Sequence, residues 1–112
     1  MLKLGVVISV LVVYSATARD PASVQHRDGQ PKVVRIADFG FQPEIVTVPR
    51  GATVEWKNAD IVPHTATSVD KKAFDSRQIP TGGSWHVTVK EPGTFEYQCT
   101  LHPNMKGTLV VR

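Results

Sequence analysis

From Val33 onward, apolar residues come in short runs that alternate with polar ones, and Gly, Pro, Asn or Asp closes each run. Nowhere do they recur at the three- and four-residue spacing of an amphipathic helix. A chain with only the two-residue period has one way to bury its apolar faces, which is to stack sheet on sheet. Val33–Ala37 is the first such run, and Asp38-Phe39-Gly40-Phe41-Gln42-Pro43 follows, where Gly40 and Pro43 are expected to interrupt the ladder. Glu44–Val48 is the next, then Thr53–Lys57, with Val54 and Trp56 on one face. Lys71–Gly83 has no strand pattern and reads as a long connection with a short turn of helix at most. Trp85, Val87 and Val89 then share a face, opposite Ser84, His86 and Thr88. Phe95, Tyr97 and Cys99 point inward from the following strand, and Thr108–Arg112 closes the chain with Leu109 and Val111 in phase. Seven or eight short strands of this kind predict an all-β, antiparallel sandwich with Greek-key connections.

The N-terminus reads differently. Met1-Leu2-Lys3 is a short basic start, Leu4–Tyr14 an apolar run, and Ala16-Thr17-Ala18 a small-x-small cleavage pattern. The run is shorter than the roughly 20 residues that span a bilayer, so residues 1–18 are expected to be a Sec-type signal peptide, with no stable membrane insertion afterwards. Residues 19–31 are polar and aperiodic and read as a tail or loosely attached edge, with His26 as a solvated side chain. The 13 Lys and Arg against 10 Asp and Glu give a net charge of +3, one less without Lys3. That mild and scattered excess excludes nucleic acid as the expected partner.

Cys99 is the single cysteine, so an exported chain has no partner for an internal disulfide. A free thiol in an oxidising compartment needs burial or a metal. His102 and Met105 follow at three-residue steps, which places a thiolate, an imidazole and a thioether on one tight loop. Copper cycling between Cu(I) and Cu(II) suits two imidazoles and a thiolate in a plane with a weak methionine on the axis. The second imidazole is expected from His64, in Val-Pro-His-Thr, 35 residues before Cys99. His86 lies on the polar face of its strand and is expected at the surface. Pro103 stiffens the loop beside His102, and Gly107 is expected to let the chain turn into the last strand.

These residues resemble the type 1 copper ligands of the cupredoxins, or blue copper proteins. The resemblance runs from about Val33 to Arg112 and includes Phe39–Pro43, Val54–Asn58, Pro63-His64-Thr65, Phe74-Asp75-Ser76, Glu91–Phe95 and Cys99–Met105. It implies a copper-binding domain over residues 32–112, one copper ion held by His64, Cys99, His102 and Met105, and single-electron transfer between larger redox proteins. The implied partners are a dehydrogenase, a cytochrome or a membrane electron-transfer complex, docking transiently near His102 on a periplasmic monomer that is not an enzyme. Two departures stand out. Family members often carry Asn after the first histidine, tying the two ligand loops together, where this chain has Thr65, whose hydroxyl can do part of that job. Leu101 replaces a proline of the short-loop members and brings an N–H positioned to donate to the Cys99 sulfur, so Leu101→Pro is expected to lower the reduction potential.

Other readings use the same residues. A copper-delivery protein is the main alternative, although carriers tend to use methionine-rich or Cys-x-x-Cys sites. A copper oxidase or nitrite reductase needs a second, open metal site, and only His26 and His86 remain to build one. Structural zinc rarely takes a methionine.

Overall fold

The computed structural model describes Lys3, residues 5–12 and residues 29–112. The expected cleavage site, most of the 19–31 tail and His26 lie outside the described residues. Residues 5–12 are exposed and have no regular secondary structure, and no described helix is long and apolar enough to cross a membrane.

The described residues form eight strands: β1 (Lys32–Ala37), β2 (Gly40–Gln42), β3 (Ile45–Val48), β4 (Thr53–Asn58), β5 (Thr67–Ser68), β6 (Ser84–Thr88), β7 (Gly93–Gln98) and β8 (Lys106–Val111). They make two four-stranded sheets, ordered β2-β1-β4-β6 and β3-β8-β7-β5. The chain crosses from one sheet to the other at every connection between β2 and β7. The two-residue period is visible in burial: Val54, Trp56 and Asn58 point inward from β4, and Gly107, Leu109 and Val111 from β8. Trp56, Tyr97, Ile36, Leu109, Val34 and Val54 are completely enclosed. Each buried aliphatic side chain among them contributes about 1.5–3 kcal/mol over its exposed state. Trp56 meets the edge of Tyr97 at 5.5 Å, and Tyr97 meets Phe41 at 4.6 Å, so the aromatic rings knit both sheets together.

The sandwich is as expected, but its sheets are mixed rather than purely antiparallel. β1 runs parallel to β4, and β3 parallel to β8. Strand phase reports which face is buried, not which strand lies alongside. A chain that leaves a sheet and returns to it can re-enter in the same direction.

Two local expectations are also corrected. Gly40 does not interrupt a ladder: it pairs with Ala37 at the start of β2. The break falls on Asp38 and Phe39, with φ of 50° and 55°, the doubly left-handed two-residue turn that closes a tight hairpin. Gly107 does not turn the chain. It lies within β8 opposite Tyr97, where an added Cβ would overlap the Tyr97 ring, so glycine serves close packing. The connection after β5 is tied down by isolated bridges, Asp75 to Thr67 and Ile79 to His64, and contains no helix.

Three connections meet at one end of the sandwich: the Asp38–Phe39 turn, the segment from Asn58 to His64, and the loop between β7 and β8. The last is a hairpin loop between adjacent strands, so whatever it carries is held by the ladder on both sides.

Candidate metal centre

Cys99 leaves the inward face of β7 one residue past the strand and is completely buried. Its N–H donates to the Met105 carbonyl (3.0 Å), the Met105 N–H to the His102 carbonyl (2.9 Å), and the His102 N–H to the Cys99 carbonyl (3.3 Å). The loop is thus coiled on itself by its own backbone. His102 is half-buried and Met105 is 4% exposed, packed into the hydrophobic core.

His64 arrives from the other side, fully buried. Its N–H donates to the Ile79 carbonyl (3.2 Å), and Ile79 N–H donates back (2.7 Å). Asn58, at the end of β4, shapes the approach: its Nδ2 donates to the Val62 and Ile79 carbonyls, both at 2.9 Å.

The result is a convergence of donors. His64 Nδ1 and His102 Nδ1 each lie 3.7 Å from Cys99 Sγ, and all three atoms lie within 4.8 Å of one another. A metal about 2.3 Å from sulfur and about 2.0 Å from nitrogen, with bond angles between tetrahedral and trigonal, sets a sulfur–nitrogen separation of about 3.5–3.7 Å. The pocket is therefore sized for an ion between them. The donor set, two imidazoles and a thiolate with a buried thioether at the loop's end, is the soft and borderline mixture that copper accepts.

Sequence reasoning missed several neighbours. Asp60 lies behind His64, with Oδ2 2.9 Å from His64 Nε2. Backbone N–H groups of Phe39 and Ile61, with the His64 ring, hold the Asp60 carboxyl below its usual range. Phe39, half-exposed, sets its ring edge-on to both imidazoles, 5.4 Å from His64 and 5.1 Å from His102. A carboxylate four residues before a buried histidine was the one available signal for Asp60. Phe39 gave none.

The two departures resolve differently. Thr65 does tie the loops together: the Thr100 N–H donates to Thr65 Oγ1 (2.9 Å), the Thr65 and Thr100 hydroxyls are 3.1 Å apart, and Thr67 Oγ1 donates to Thr65 Oγ1 (3.0 Å). The backbone donor to the Cys99 sulfur is the Thr65 N–H (3.3 Å), rather than that of Leu101. Leu101 has turned outward, its side chain 45% exposed.

Residues 5–111 match the model of the cupredoxin-like domain. The chain is a cupredoxin. Amicyanin-alpha of Methylorubrum extorquens is 32% identical to it, over 92% of this chain and 93% of the relative. Among solved structures, the Cu(I) form of an amicyanin mutant superposes with a TM-score of 0.69 at 31% identity, covering 80% of this chain and 89% of the other. A copper-containing nitrite reductase from Thermus scotoductus superposes with a TM-score of 0.70 at 28% identity over 85% of this chain, which spans 27% of that enzyme.

Proposed function

We propose that this cupredoxin is an exported one-electron carrier, with a single copper held by His64, Cys99, His102 and Met105. The observation that supports it most is the convergence of two imidazole nitrogens on one buried thiol, each at 3.7 Å. Copper supplies the one-electron couple between Cu(I) and Cu(II), and the chain supplies everything else. The β7–β8 ladder and Thr65 hold the donors in place before the ion arrives, so little rearrangement accompanies a change of charge. Burial of Cys99 and Met105 keeps water away from the sulfur donors. The Thr65 N–H stabilises the thiolate, and Asp60 keeps the His64 Nδ1 lone pair turned inward.

Electrons enter and leave at His102, the ligand nearest the surface. Around it stand the exposed side chains of Phe39, Leu101 and Pro103, a small apolar face suited to brief docking. The partners are redox proteins: a dehydrogenase, a cytochrome or a membrane complex. Residues 1–18 direct the chain to the periplasm, and residues 32–112 form the working domain. We read it as a carrier rather than a catalyst, because the curated relatives that it resembles are amicyanins and plastocyanins.

The test is a visible spectrum of the Cu(II)-loaded protein and of Cys99→Ala, with a voltammogram. An intense charge-transfer band that disappears in the variant, with a reversible one-electron wave, is expected. Colour that survives the substitution would remove Cys99 from the metal, and a band without a reversible wave would favour copper delivery.

A further inference from the structure

Asp60 is only 8% exposed, and a buried carboxylate needs compensation. Its Oδ2 accepts both the Phe39 N–H and His64 Nε2, each at 2.9 Å, and its Oδ1 accepts the Ile61 N–H at 2.9 Å. Its own N–H donates to Asn58 Oδ1 at 2.9 Å, while Asn58 spends its amide hydrogens on the Val62 and Ile79 carbonyls. The carboxylate is thus held by three donors, and its own backbone by a fourth bond. An ionised carboxylate only accepts hydrogen bonds, so His64 must carry its proton on Nε2. In the neutral ring Nδ1 is then the lone pair, and it faces Cys99.

The two histidines are unequal in this respect. Among the described residues, His102 has no carboxylate behind its ring. A fixed negative charge behind an imidazole raises its basicity and favours the more highly charged state of whatever the imidazole binds.

Resting on the copper assignment above, we propose that Asp60 is a positioning residue that locks His64 with Nδ1 toward the metal and biases the centre toward Cu(II). One oxygen also anchors the Phe39 turn, so the aromatic ring over both imidazoles and the orientation of His64 depend on the same anion.

Two variants separate acceptor from charge. Asp60→Asn keeps an oxygen that can face His64 but removes the charge; Asp60→Ala removes both. In the metal-free protein, NMR of the imidazole nitrogens is expected to show a single Nε2–H tautomer for His64 in the wild type and a tautomer mixture in Asp60→Ala. In the copper-loaded protein, Asp60→Asn is expected to keep the intense band while its preference for Cu(I) over Cu(II) rises about tenfold, an upward shift of about 59 mV for a one-electron couple. A wild-type potential in Asp60→Asn would reduce Asp60 to a backbone clamp for Phe39 and Ile61 and overturn the proposal, as would an unchanged tautomer in Asp60→Ala. A wild-type protein that forms no thiolate–copper band would sink the copper assignment instead, and the metal-free tautomer would still decide for or against Asp60. If Asp60→Ala does not fold, the shape-preserving Asp60→Asn decides the proposal through the potential.

Discussion

The two sides of the centre are built on opposite plans. The upstream side, from Asn58 to Thr65, turns its polar side chains inward: His64, Thr65, Asn58 and Asp60 are all buried and placed by side-chain hydrogen bonds, while Ala59, Ile61 and Pro63 between them face solvent. The downstream side, from Cys99 to Met105, is held by its own backbone turns and by the two strands it joins, and it presents His102 toward solvent. One side fixes a ligand by chemistry that water cannot reach; the other fixes three candidates by chain geometry and leaves one near the surface. On the proposed function, the difference places tuning on the upstream side and exchange on the downstream one.

Replacing the two histidines in turn is the strongest way to break that contrast. In the metal-free protein, His64→Ala is expected to destabilise by about 2–4 kcal/mol, because it opens a buried cavity and strips Asp60 of a donor. His102→Ala is expected to cost less than about 1 kcal/mol. Equal losses in urea denaturation would show that the sides are not sealed differently. Next comes the tie between them. Thr65→Val keeps the shape but leaves the part-buried Thr100 N–H short of an acceptor, while the Thr67 hydroxyl still has Asp75 Oδ1, so a loss of about 0.5–1.5 kcal/mol is expected, with a broadened copper spectrum once the loops move independently.

Beneath both sides lies Tyr97, where burial pushes the phenol up to about 12. The unfolded-state value is about 10, so the neutral phenol favours the folded state. That contribution is intact below about pH 10 and is lost as pH rises toward 12. Alkaline unfolding followed by tyrosinate absorbance is expected to track it, and Tyr97→Phe to remove that part of the pH dependence. Tyrosinate appearing near pH 10 in the folded protein and missing from Tyr97→Phe would contradict the burial argument. Smallest of all is Leu101→Pro. With the sulfur's backbone donor supplied by Thr65, the Cu(I)/Cu(II) affinity ratio is expected to change less than about twofold, against the tens-fold effects of true ligand partners. A large fall in potential would restore Leu101 as a donor.

How much of this the sequence revealed follows from what each feature depends on. Cys99, His102 and Met105 were legible because seven residues of chain confine them whatever the fold. His64 was legible through its distance from the polar-face His86 and its place after a strand break. Asp60 and Phe39 were not, because their roles exist only once the β1–β2 turn is brought against the approach to His64. The Asp38–Phe39 turn itself lacks the glycine or asparagine that normally marks a left-handed pair. The two parallel pairings were hidden for a related reason: Val34 and Trp56 advertise their buried face but not that they lie side by side.

The 35-residue separation of His64 and Cys99 has a thermodynamic side. An ion gripping both would pin two distant points of the chain and act as a removable cross-link. Closing a flexible loop of that length costs about 3 kcal/mol in chain entropy, a cost that folding meets before an ion can grip both ends. In the unfolded chain the loop donors alone lie close enough together to hold an ion. An ion that needs His64 as well therefore favours the folded chain, and the gap between loaded and empty melting temperatures measures that preference.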